Sequence, residues 1–474
     1  MKRYIRRYLH PTQVVILSFA LVILFGTALL SLPFATRSGE RMPLLDAFFT
    51  AASATCVTGL VVVDTGTTFS TFGQLVILAC IQIGGLGLMT FTTVFVVLAG
   101  RRVAIADRIA VQESFHHTPT GNIRTLVKYI IIATLAVEAT SAALLTFHWT
   151  TQGRFGSFSE TAYSAAFHSV SAFCNAGFSL HADSLLGYQN DPLTIIVMSV
   201  LIIIGGLGFL VTLDIKGYVQ QRYFEPMWSS QVRERIQAIR TLPRLSVHTK
   251  FVLTTTTALL LIGTLSYYFL ERNGLFAGMS PQTIWLNAYF CSVTPRTAGF
   301  NTIDYAGMSG AGLLCTMVLM FIGASPGSTG GGVKTSTFGL LVAYSLSRWR
   351  GRRHLNAFDR TVPQVSIDRA GGVVISAVVL VILAASVLMA TETSDLSSRE
   401  SQNSFLSIAF ETISAFGTVG LSMGETPTLS ASGKLLIAVV MFLGRVGPLS
   451  LALAISRRQR RAQFRYAEEN IMVG

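Results

Sequence analysis

The sequence predicts an all-α membrane protein that repeats one structural unit four times along a single chain. Charged residues make up 12% of its 474 residues and apolar residues 51%, and the mean hydropathy is +0.56. Soluble globular chains carry about 25% charged residues, and several stretches here reach the roughly 20 apolar residues that cross a bilayer. The repeat is visible in four glycine-containing phrases, which are SATCVTGL, SAFCNAGFS, SVTPRTAGFN and SAFGTVGLS.

These phrases place a glycine at nearly constant intervals. Gly59, Gly177, Gly299 and Gly420 are separated by 118, 122 and 121 residues. The hydrophobic segments around each glycine predict the same order in every unit, namely a long outer helix, a short amphipathic helix, the glycine loop and a long inner helix. The four units are 1–100, 101–217, 218–348 with its cytosolic loop, and 349–474 with the C-terminal tail.

Helix boundaries follow from the positions where the apolar segments begin and end. The outer helices are predicted at 13–33, 124–148, 249–270 and 370–390. The short helices are predicted at 44–54, 159–173, 281–293 and 404–416. The inner helices are predicted at 71–99, 192–213, 312–346 and 433–456. Outer and inner helices together give eight membrane crossings, whereas each short helix covers only about half of the hydrocarbon core at roughly 1.5 Å per residue.

Because the short helices end within the membrane, the glycine loops that follow them lie at membrane depth. Non-helical backbone at membrane depth is tolerated only where its polar groups meet protein or water. Glycine permits close approach of neighbouring backbones, so the four loops are predicted to meet on one axis with their carbonyl oxygens turned inward. The negative ends of the short helices favour a cation there, and carbonyl oxygens can replace its hydration shell. The predicted fold is therefore four helix–pore loop–helix repeats in one chain around a pseudo-fourfold central pore.

The net charge of +13 is concentrated in five segments. An even number of predicted crossings separates each segment from the next, so all five can share one side, which the positive-inside rule makes the cytoplasm. This places both termini in the cytoplasm and argues against nucleic-acid binding. The opposite loops are rich in acids, which would either concentrate cations at the outer mouth or serve only to keep these loops soluble. The basic segments are 2–7, 101–128, 216–250, 348–369 and 457–465.

Enzymatic and metal sites are not indicated by the sequence. It contains no HExxH phrase and no clustered catalytic acids, and its five cysteines form no CxxC pair, so neither a zinc site nor a disulfide framework is supported. The phrase IGGLG occurs at 83–87 and 204–208. Because no strand precedes either copy, close helix packing is a better interpretation than dinucleotide binding.

The glycine phrases and the four-unit order resemble the Trk/Ktr/HKT superfamily of potassium transporters over essentially the whole chain. The interrupted inner helix of the third unit strengthens this resemblance. The small number of residues before the first span makes the chain most similar to the membrane subunit of bacterial Ktr systems, KtrB. The resemblance implies that backbone carbonyls just before each filter glycine hold potassium, and that a glycine in the first filter selects potassium. The implied filter residues are Val57, Thr58, Gly59, Asn175, Ala176, Gly177, Thr297, Ala298, Gly299, Thr418, Val419 and Gly420.

Residues 323–332 interrupt the third inner helix, because five glycines and a proline cannot continue a stable helix. A phosphate-binding loop is not supported, since Val333 separates Gly332 from Lys334 and breaks GxxxxGK[ST]. The resemblance implies a movable intramembrane loop that acts as a gate beneath the filter, with an arginine contributing to the barrier. The implied gate residues are Gly323, Ser325, Pro326, Gly327, Gly330, Gly331, Gly332, Lys334 and Arg445.

Charged residues at membrane depth are functional candidates because they are costly to bury. Arg296 lies inside the third phrase, where a bare cation on the axis would repel potassium. We expect it to support the filter by pairing with a neighbouring carboxylate such as Glu411. Glu138, in the second outer helix, is a further candidate partner for Arg296 or Arg445.

Potassium uptake across the bacterial cytoplasmic membrane, driven by ion gradients, is the first functional hypothesis. The resemblance implies that Na+ is required as well as the transported K+, and that the chain forms a homodimer on a cytosolic ring of nucleotide-binding, KtrA-like subunits. Membrane lipid is the other expected partner, and neither an organic cofactor nor nucleic acid is expected. The alternative is a solute-coupled cation secondary transporter. Such proteins also use repeats and broken helices, but their repeats are usually inverted, whereas these four units run in the same sense.

Overall fold

The computed structural model describes residues 11–87, 123–220, 222, 245–394 and 397–447, and most of these are helical. Within those ranges the one sheet is a hairpin that pairs Asn356–Ala357 with Arg360–Thr361. The expected helical fold class is therefore confirmed. Expectations for the basic segments 2–7 and 457–465, for the end of the first inner helix at 88–99 and for the C-terminal tail lie outside the described residues.

All four predicted units contain the same series of helices. The outer helices are Pro11–Leu30, Ile123–Thr151, Val247–Glu271 and Gln364–Glu392. The short helices are Leu44–Cys56, Phe158–Phe173, Pro281–Val293 and Ser398–Gly417. The inner helices are Thr71–Gly85, Pro192–Leu207 with Phe209–Val219, Gly310–Phe321 with Thr335–Trp349, and Ala431–Val446.

The second inner helix is broken, and the expectation of a continuous helix over 192–213 is wrong. Pro192–Leu207 and Phe209–Val219 meet at an angle of 97°. Gly208 lies between them with a left-handed φ of +88°. A Cβ on Gly208 would lie 2.6 Å from the carbonyl oxygen of Pro326, so only glycine allows the backbone of the third unit to approach this closely. The break is therefore set by a contact between units.

Helix starts are fixed by serine side chains. Ser70, Ser246 and Ser430 each accept a hydrogen bond from a backbone amide of the first turn that follows, which is the preferred N-cap arrangement. The fourth short helix begins at Ser398, earlier than the expected 404. The reason is a capping box in which Ser397 and Glu400 satisfy each other's backbone amides.

Long apolar helices are fewer than the eight crossings expected. Among the described residues, Val127–Thr151, Val247–Glu271 and Gln364–Glu392 are long and apolar enough to cross a membrane, and the bent pair of the second unit makes a fourth if it counts as one span. The inner helices of the second and third units are interrupted, and the first and fourth inner helices are described only as far as residues 87 and 447. The second and third outer helices nevertheless lie close to their predicted bounds.

Inner helices pack on short helices through glycine. A Cβ added to Gly84, Gly205 or Gly444 would overlap a carbonyl oxygen at the C-terminal end of a short helix. The partner carbonyls belong to Thr55, Phe173 and Phe416 respectively. The close-packing interpretation of the two IGGLG phrases is thus confirmed at Gly84 and Gly205. Between the first and fourth units, Lys434 Nζ lies 2.8 Å from Asp46 Oδ1.

Candidate functional site

The four filter glycines lie in a closed ring. A Cβ on Gly59 would lie 2.5 Å from the carbonyl oxygen of Ala176 and 3.0 Å from the Cα of Gly177. In every unit, a Cβ on the filter glycine would lie too close to the carbonyl oxygen of the residue just before the next filter glycine along the chain. The glycine of the fourth unit lies in the same way against the first unit, which closes the ring. The further pairs are Gly177 with Ala298, Gly299 with Val419, and Gly420 with Thr58. Real Cβ atoms do not approach this closely, so the ring requires glycine at all four positions.

Each filter loop also contains two left-handed residues. The glycines have φ values of 91°, 70°, 78° and 94° in chain order. The residue two positions earlier is left-handed as well, although it is never glycine; these residues are Val57 (58°), Asn175 (59°), Thr297 (76°) and Thr418 (50°). A β-branched residue with positive φ is an outlier. Such strain persists where the surrounding structure enforces it, as it does at functional sites.

A hydroxyl group behind each loop holds this backbone in place. Ser53 Oγ accepts from the amide of Gly59, and Ser414 Oγ accepts from the amide of Gly420, both at 3.1 Å. In the other two units the hydroxyl donates to the carbonyl just after the glycine, in the pairs Ser171–Phe178 at 2.7 Å and Thr294–Phe300 at 2.5 Å. All four hydroxyl-bearing residues are buried. They support the four glycine loops from behind.

Sequence reasoning missed these hydroxyls, although a signal for them was present. Every phrase begins with serine, and in three units that serine makes the bond. The third phrase has one additional residue between its serine and its glycine. There Ser292 instead donates to the carbonyl of Leu260 at 2.8 Å. Thr294 forms the hydrogen bond to the loop in its place.

A cavity of about 170 Å³ opens onto the ring, and all four filter glycines line it. Asp64 and His181 also lie in its wall. Burial lowers the pKa of His181 below its usual range, against an opposing effect of Asp183, so the imidazole is neutral near pH 7. Asp64 is therefore the charged side chain of the cavity wall, and a carboxylate in this position attracts cations.

The glycine-rich loop of the third unit lies against the other end of the filters. The amide of Gly331 donates to Thr418 Oγ1 at 3.0 Å. A Cβ on Gly330 would overlap the side chain of Thr297, and one on Gly331 would overlap Thr418. Since Thr297 and Thr418 are the left-handed residues two positions before a filter glycine, the loop contacts the filter directly.

Backbone hydrogen bonds fix this loop in the break of the second inner helix. The amides of Ser325 and Thr329 donate to the carbonyls of Gly206 and Gly205, at 3.0 and 3.2 Å. In return, the amide of Phe209 donates to the carbonyl of Gly327 at 3.2 Å. The two broken inner helices therefore satisfy each other's backbone groups, as buried polar groups require.

Two basic side chains bind consecutive carbonyls of the loop. Lys334 Nζ donates to the carbonyl of Gly330 at 2.6 Å. Arg445 donates through Nη1 to the carbonyl of Thr329 and through Nη2 to that of Gly84. The expectation that Arg445 is directed toward the glycine-rich loop is thus confirmed by its contact with Thr329.

The expected pairing of Arg296 with Glu411 is wrong. Arg296 Nη1 donates to the carbonyl of Thr256 at 3.3 Å, and no described carboxylate forms an ion pair with it. Glu411 Oε1 accepts instead from Ser422 Oγ at 3.3 Å and from the hydroxyl of Thr426. Each group finds polar partners within its own unit, while Arg296 Nε and Glu411 Oε2 are buried without a hydrogen-bond partner among the described residues.

Glu138 does not pair with an arginine either. Its two carboxylate oxygens accept from Gln82 Nε2, both at 3.2 Å. This bond joins the second outer helix to the first inner helix at Gln82, the residue just before the glycine phrase that begins at Ile83. Glu138 therefore links two units and does not neutralise Arg296 or Arg445.

These features define a helical integral membrane protein whose four glycine loops meet in a ring. The chain belongs to the TrkH family of cation transport proteins, whose family model matches residues 2–464. This membership confirms the resemblance to the Trk/Ktr/HKT superfamily, and it makes the chain a cation transporter and not an enzyme.

Similar proteins align along nearly the whole chain. The potassium/sodium uptake protein NtpJ of Enterococcus hirae is 39% identical, covering 100% of this chain and 99% of its own. The Ktr system potassium uptake protein B of Bacillus subtilis is 38% identical, with 98% and 97% covered, and that of Vibrio alginolyticus is 36% identical, with 98% and 94% covered. The crystal structure of the potassium transporter TrkH from Vibrio parahaemolyticus shares the fold, with a TM-score of 0.67 at 22% identity over 93% of this chain and 84% of that one.

Proposed function

We propose that this chain carries potassium into the cell across the bacterial cytoplasmic membrane through a filter lined by backbone carbonyls. The single observation that supports this most is the ring of four glycines, each against the carbonyl that precedes the next. Relatives that align with nearly the whole chain are named for potassium uptake, or for potassium and sodium uptake. The transported ion is therefore K+, and Na+ is the second ion to test.

In this proposal, the four pore units surround one pseudo-fourfold axis, and a dehydrated K+ binds to the carbonyls just before each glycine. Carbonyl oxygens replace the hydration shell of the ion, and the glycines allow the four backbones to come close enough. The membrane potential supplies roughly 2.3 kcal/mol per charge at 100 mV. The carbonyls assigned to the ion belong to Val57, Thr58, Asn175, Ala176, Thr297, Ala298, Thr418 and Val419.

The intramembrane loop is the proposed gate. It lies against Thr297 and Thr418 at the end of the filter opposite the outer cavity, so a permeating ion must displace it. Arg445 and Lys334 hold two consecutive loop carbonyls and add positive charge on the same path. Release of these bonds is the opening step.

Regulation is assigned to a separate cytosolic ring of nucleotide-binding subunits, with the chain as a homodimer and both termini in the cytoplasm. Relatives named as components of Ktr systems support the first part of this assignment. The loops that carry the basic segments 101–128 and 348–369, together with the C-terminal tail, are the proposed contact surfaces. The filter then selects the ion and the ring sets the position of the loop.

Growth of a potassium-uptake-deficient bacterium at low external potassium tests the transport proposal. Expression of the chain together with its regulatory subunit is expected to restore growth, and comparison of media with and without sodium assigns the role of Na+. Membrane insertion, measured by quantitative immunoblotting of the membrane fraction, is the control. Failure of a well-inserted chain to restore growth in either medium would contradict potassium uptake.

A further inference from the structure

We propose that His168 and Glu411 are positioning residues that hold the outer rim of the filter from behind, at two opposite points, and that they contribute to its preference for potassium. This role rests on the carbonyl-lined filter proposed above. The outer rim consists of the residues two positions after each filter glycine, all of which line the outer cavity; they are Val61, Ser179, Asn301 and Ser422. An ion that enters from the cavity passes the outer rim before it reaches the glycine ring.

The two buried side chains occupy the same position of the repeat. His168 lies nine residues before Gly177, and Glu411 lies nine residues before Gly420. Each belongs to a short helix, and each is 0% exposed. Ionisable side chains at membrane depth are costly, so their occurrence at one position in two units calls for a specific partner.

The partner is a serine of the outer rim in both units. His168 Nε2 lies 3.0 Å from Ser179 Oγ. The other ring nitrogen, Nδ1, lies 2.7 Å from the carbonyl oxygen of Ser164. Because a carbonyl only accepts, Nδ1 donates there and fixes the ring with Nε2 toward Ser179. In the fourth unit, Glu411 Oε1 accepts from Ser422 Oγ at 3.3 Å.

Each of these serines is also held by the turn that follows it. Ser179 Oγ accepts from the amide of His181, and Ser422 Oγ accepts from the amide of Gly424, both at 2.9 Å. One hydroxyl therefore joins a buried helix to the outer turn in each unit. A site keeps its geometry when its supporting side chains are themselves fixed, and the filter carbonyls select an ion by their number and position.

The other two units lack this contact. In the first unit Val61 has no hydroxyl, and Thr50, at the equivalent position of the short helix, donates to the carbonyl of Asp46 in its own helix at 2.8 Å. In the third unit the side chain of Asn301 donates to the carbonyl of Ile303 at 3.1 Å. The glycine ring follows chain order, so the second and fourth units face each other across it. The two contacts thus hold the outer rim on opposite sides.

Potassium uptake by the full-length protein, reconstituted with its regulatory subunits, tests these roles. The KM for K+ and the K+/Na+ preference are measured for each variant. Glu411→Leu and His168→Leu remove the contacts, whereas Glu411→Gln and His168→Gln keep a polar atom within reach of the serine. Thr50→Val is the matched control, because Thr50 has the same repeat position, is 2% exposed and bonds only within its own helix.

We expect each leucine variant to lower the K+/Na+ preference and to raise the KM by roughly fivefold, the change that corresponds to one hydrogen bond. The glutamine variants should recover most of this loss, and Thr50→Val should match wild type. Lower thermal stability with unchanged ion preference in the leucine variants would overturn the proposal, because the role would then be structural only. Glutamine variants as impaired as the leucine variants would also overturn it.

A double-mutant cycle separates the hydrogen bond from other effects of Glu411, which also accepts from the hydroxyl of Thr426. Adding Ser422→Ala to Glu411→Leu should cause no further loss of preference, whereas adding Ser179→Ala should multiply the two losses. Multiplication in both combinations would overturn the proposal. If the leucine variants do not insert, Ser179→Ala and Ser422→Ala decide alone, and a wild-type ratio in both overturns it.

The wild-type protein distinguishes this proposal from the transport function on which it rests. Absence of potassium uptake by well-inserted wild type would contradict the transport function itself. Normal uptake by wild type, with the same K+/Na+ preference in all His168, Glu411 and serine variants, would contradict only the positioning role.

Discussion

Arg445 donates a hydrogen bond to the carbonyl oxygen of Thr329, which connects the fourth inner helix to the intramembrane loop of the third unit. The same guanidinium also reaches the carbonyl of Gly84 in the first unit. One side chain thus joins three units below the filter. The loop cannot leave this position while the guanidinium holds it.

Arg445→Ala is expected to raise potassium flux in the absence of the regulatory subunits. A hydrogen bond from a charged group contributes about 1.5–3 kcal/mol, so its loss should favour the open loop by roughly tenfold to a hundredfold. Tracer uptake into vesicles measures the flux. Arg272→Ala, at an exposed position after the third outer helix, is the control and should match wild type. Unchanged uptake in Arg445→Ala would mean that this arginine does not hold the loop closed.

Gly331→Ala tests the contact between the loop and the filter by crowding. The new Cβ would meet the side chain of Thr418, so the loop must move away and basal flux should increase severalfold. Gly371→Ala in the fourth outer helix introduces the same methyl group into open space and should have no effect. If both variants transport like wild type, the loop does not rest on Thr418 during transport.

Ser414→Ala removes the hydroxyl that accepts from the amide of Gly420. A neutral hydrogen bond contributes about 1 kcal/mol, which corresponds to roughly a fivefold change in an equilibrium. We expect the K+/Na+ selectivity to fall by about that factor while expression is unchanged. Ser386→Ala is the control, because the Ser386 hydroxyl is exposed and donates only within its own helix, to the carbonyl of Ile382. Equal selectivity in both variants would show that the hydroxyl does not support the filter.

Asp191 provides a test of stability against pH. This residue precedes the second inner helix and caps its first turn through Thr194. Burial raises the pKa of its carboxyl, but hydrogen bonds from His148 and Thr194 outweigh burial, and the net pKa is lowered. A lowered pKa in the folded state stabilises the protein above the unfolded pKa of about 3.9, and this stabilisation is lost as the pH falls through the folded value.

Asp191→Asn should therefore lower the melting temperature at neutral pH. The free energy of unfolding should fall by about 1–2 kcal/mol, because the charge-assisted bonds are lost. The difference from wild type should shrink as the pH is lowered toward about 3. Thermal unfolding in detergent at several pH values measures this. A difference that stays constant over that range would indicate that the ionised carboxylate contributes nothing to stability.

The sequence predicted the elements that repeat. The short helices Pro281–Val293 and Phe158–Phe173 lie at or within one residue of their expected bounds, because the apolar pattern and the glycine phrases are local signals. The break at Gly208 was not predictable in this way. The apolar pattern runs through that glycine without interruption, and the break depends on Pro326, which lies in another unit.

The hydrogen-bond partners of the buried charged side chains could not be predicted from the sequence either. Arg296 and Glu411 both lie near filter phrases, which favoured a direct ion pair. In the structure Arg296 bonds instead to the carbonyl of Thr256, and Glu411 to the hydroxyls of Ser422 and Thr426. Backbone carbonyls occur at every residue and leave no mark in a sequence, so the selection of one carbonyl by an arginine requires coordinates.

The potassium-to-sodium permeability ratio of filter-glycine variants tests the central claim most directly. Alanine is introduced singly at Gly59, Gly177, Gly299 and Gly420, where the new Cβ meets the neighbouring filter backbone. The controls are Gly39→Ala and Gly278→Ala, at glycines that also have positive φ, 73° and 84°, but face open space. Backbone strain of about 1–2 kcal/mol is common to both sets, so only crowding of the ring distinguishes them.

The account predicts that each filter variant loses most of its preference for potassium, while both controls keep the wild-type ratio. Membrane insertion should be retained in both sets, and thermal stability should fall further in the filter variants because only they add the backbone contact. If the four filter variants retain the wild-type ratio, the carbonyls around this ring do not select the ion, and the proposed filter is contradicted.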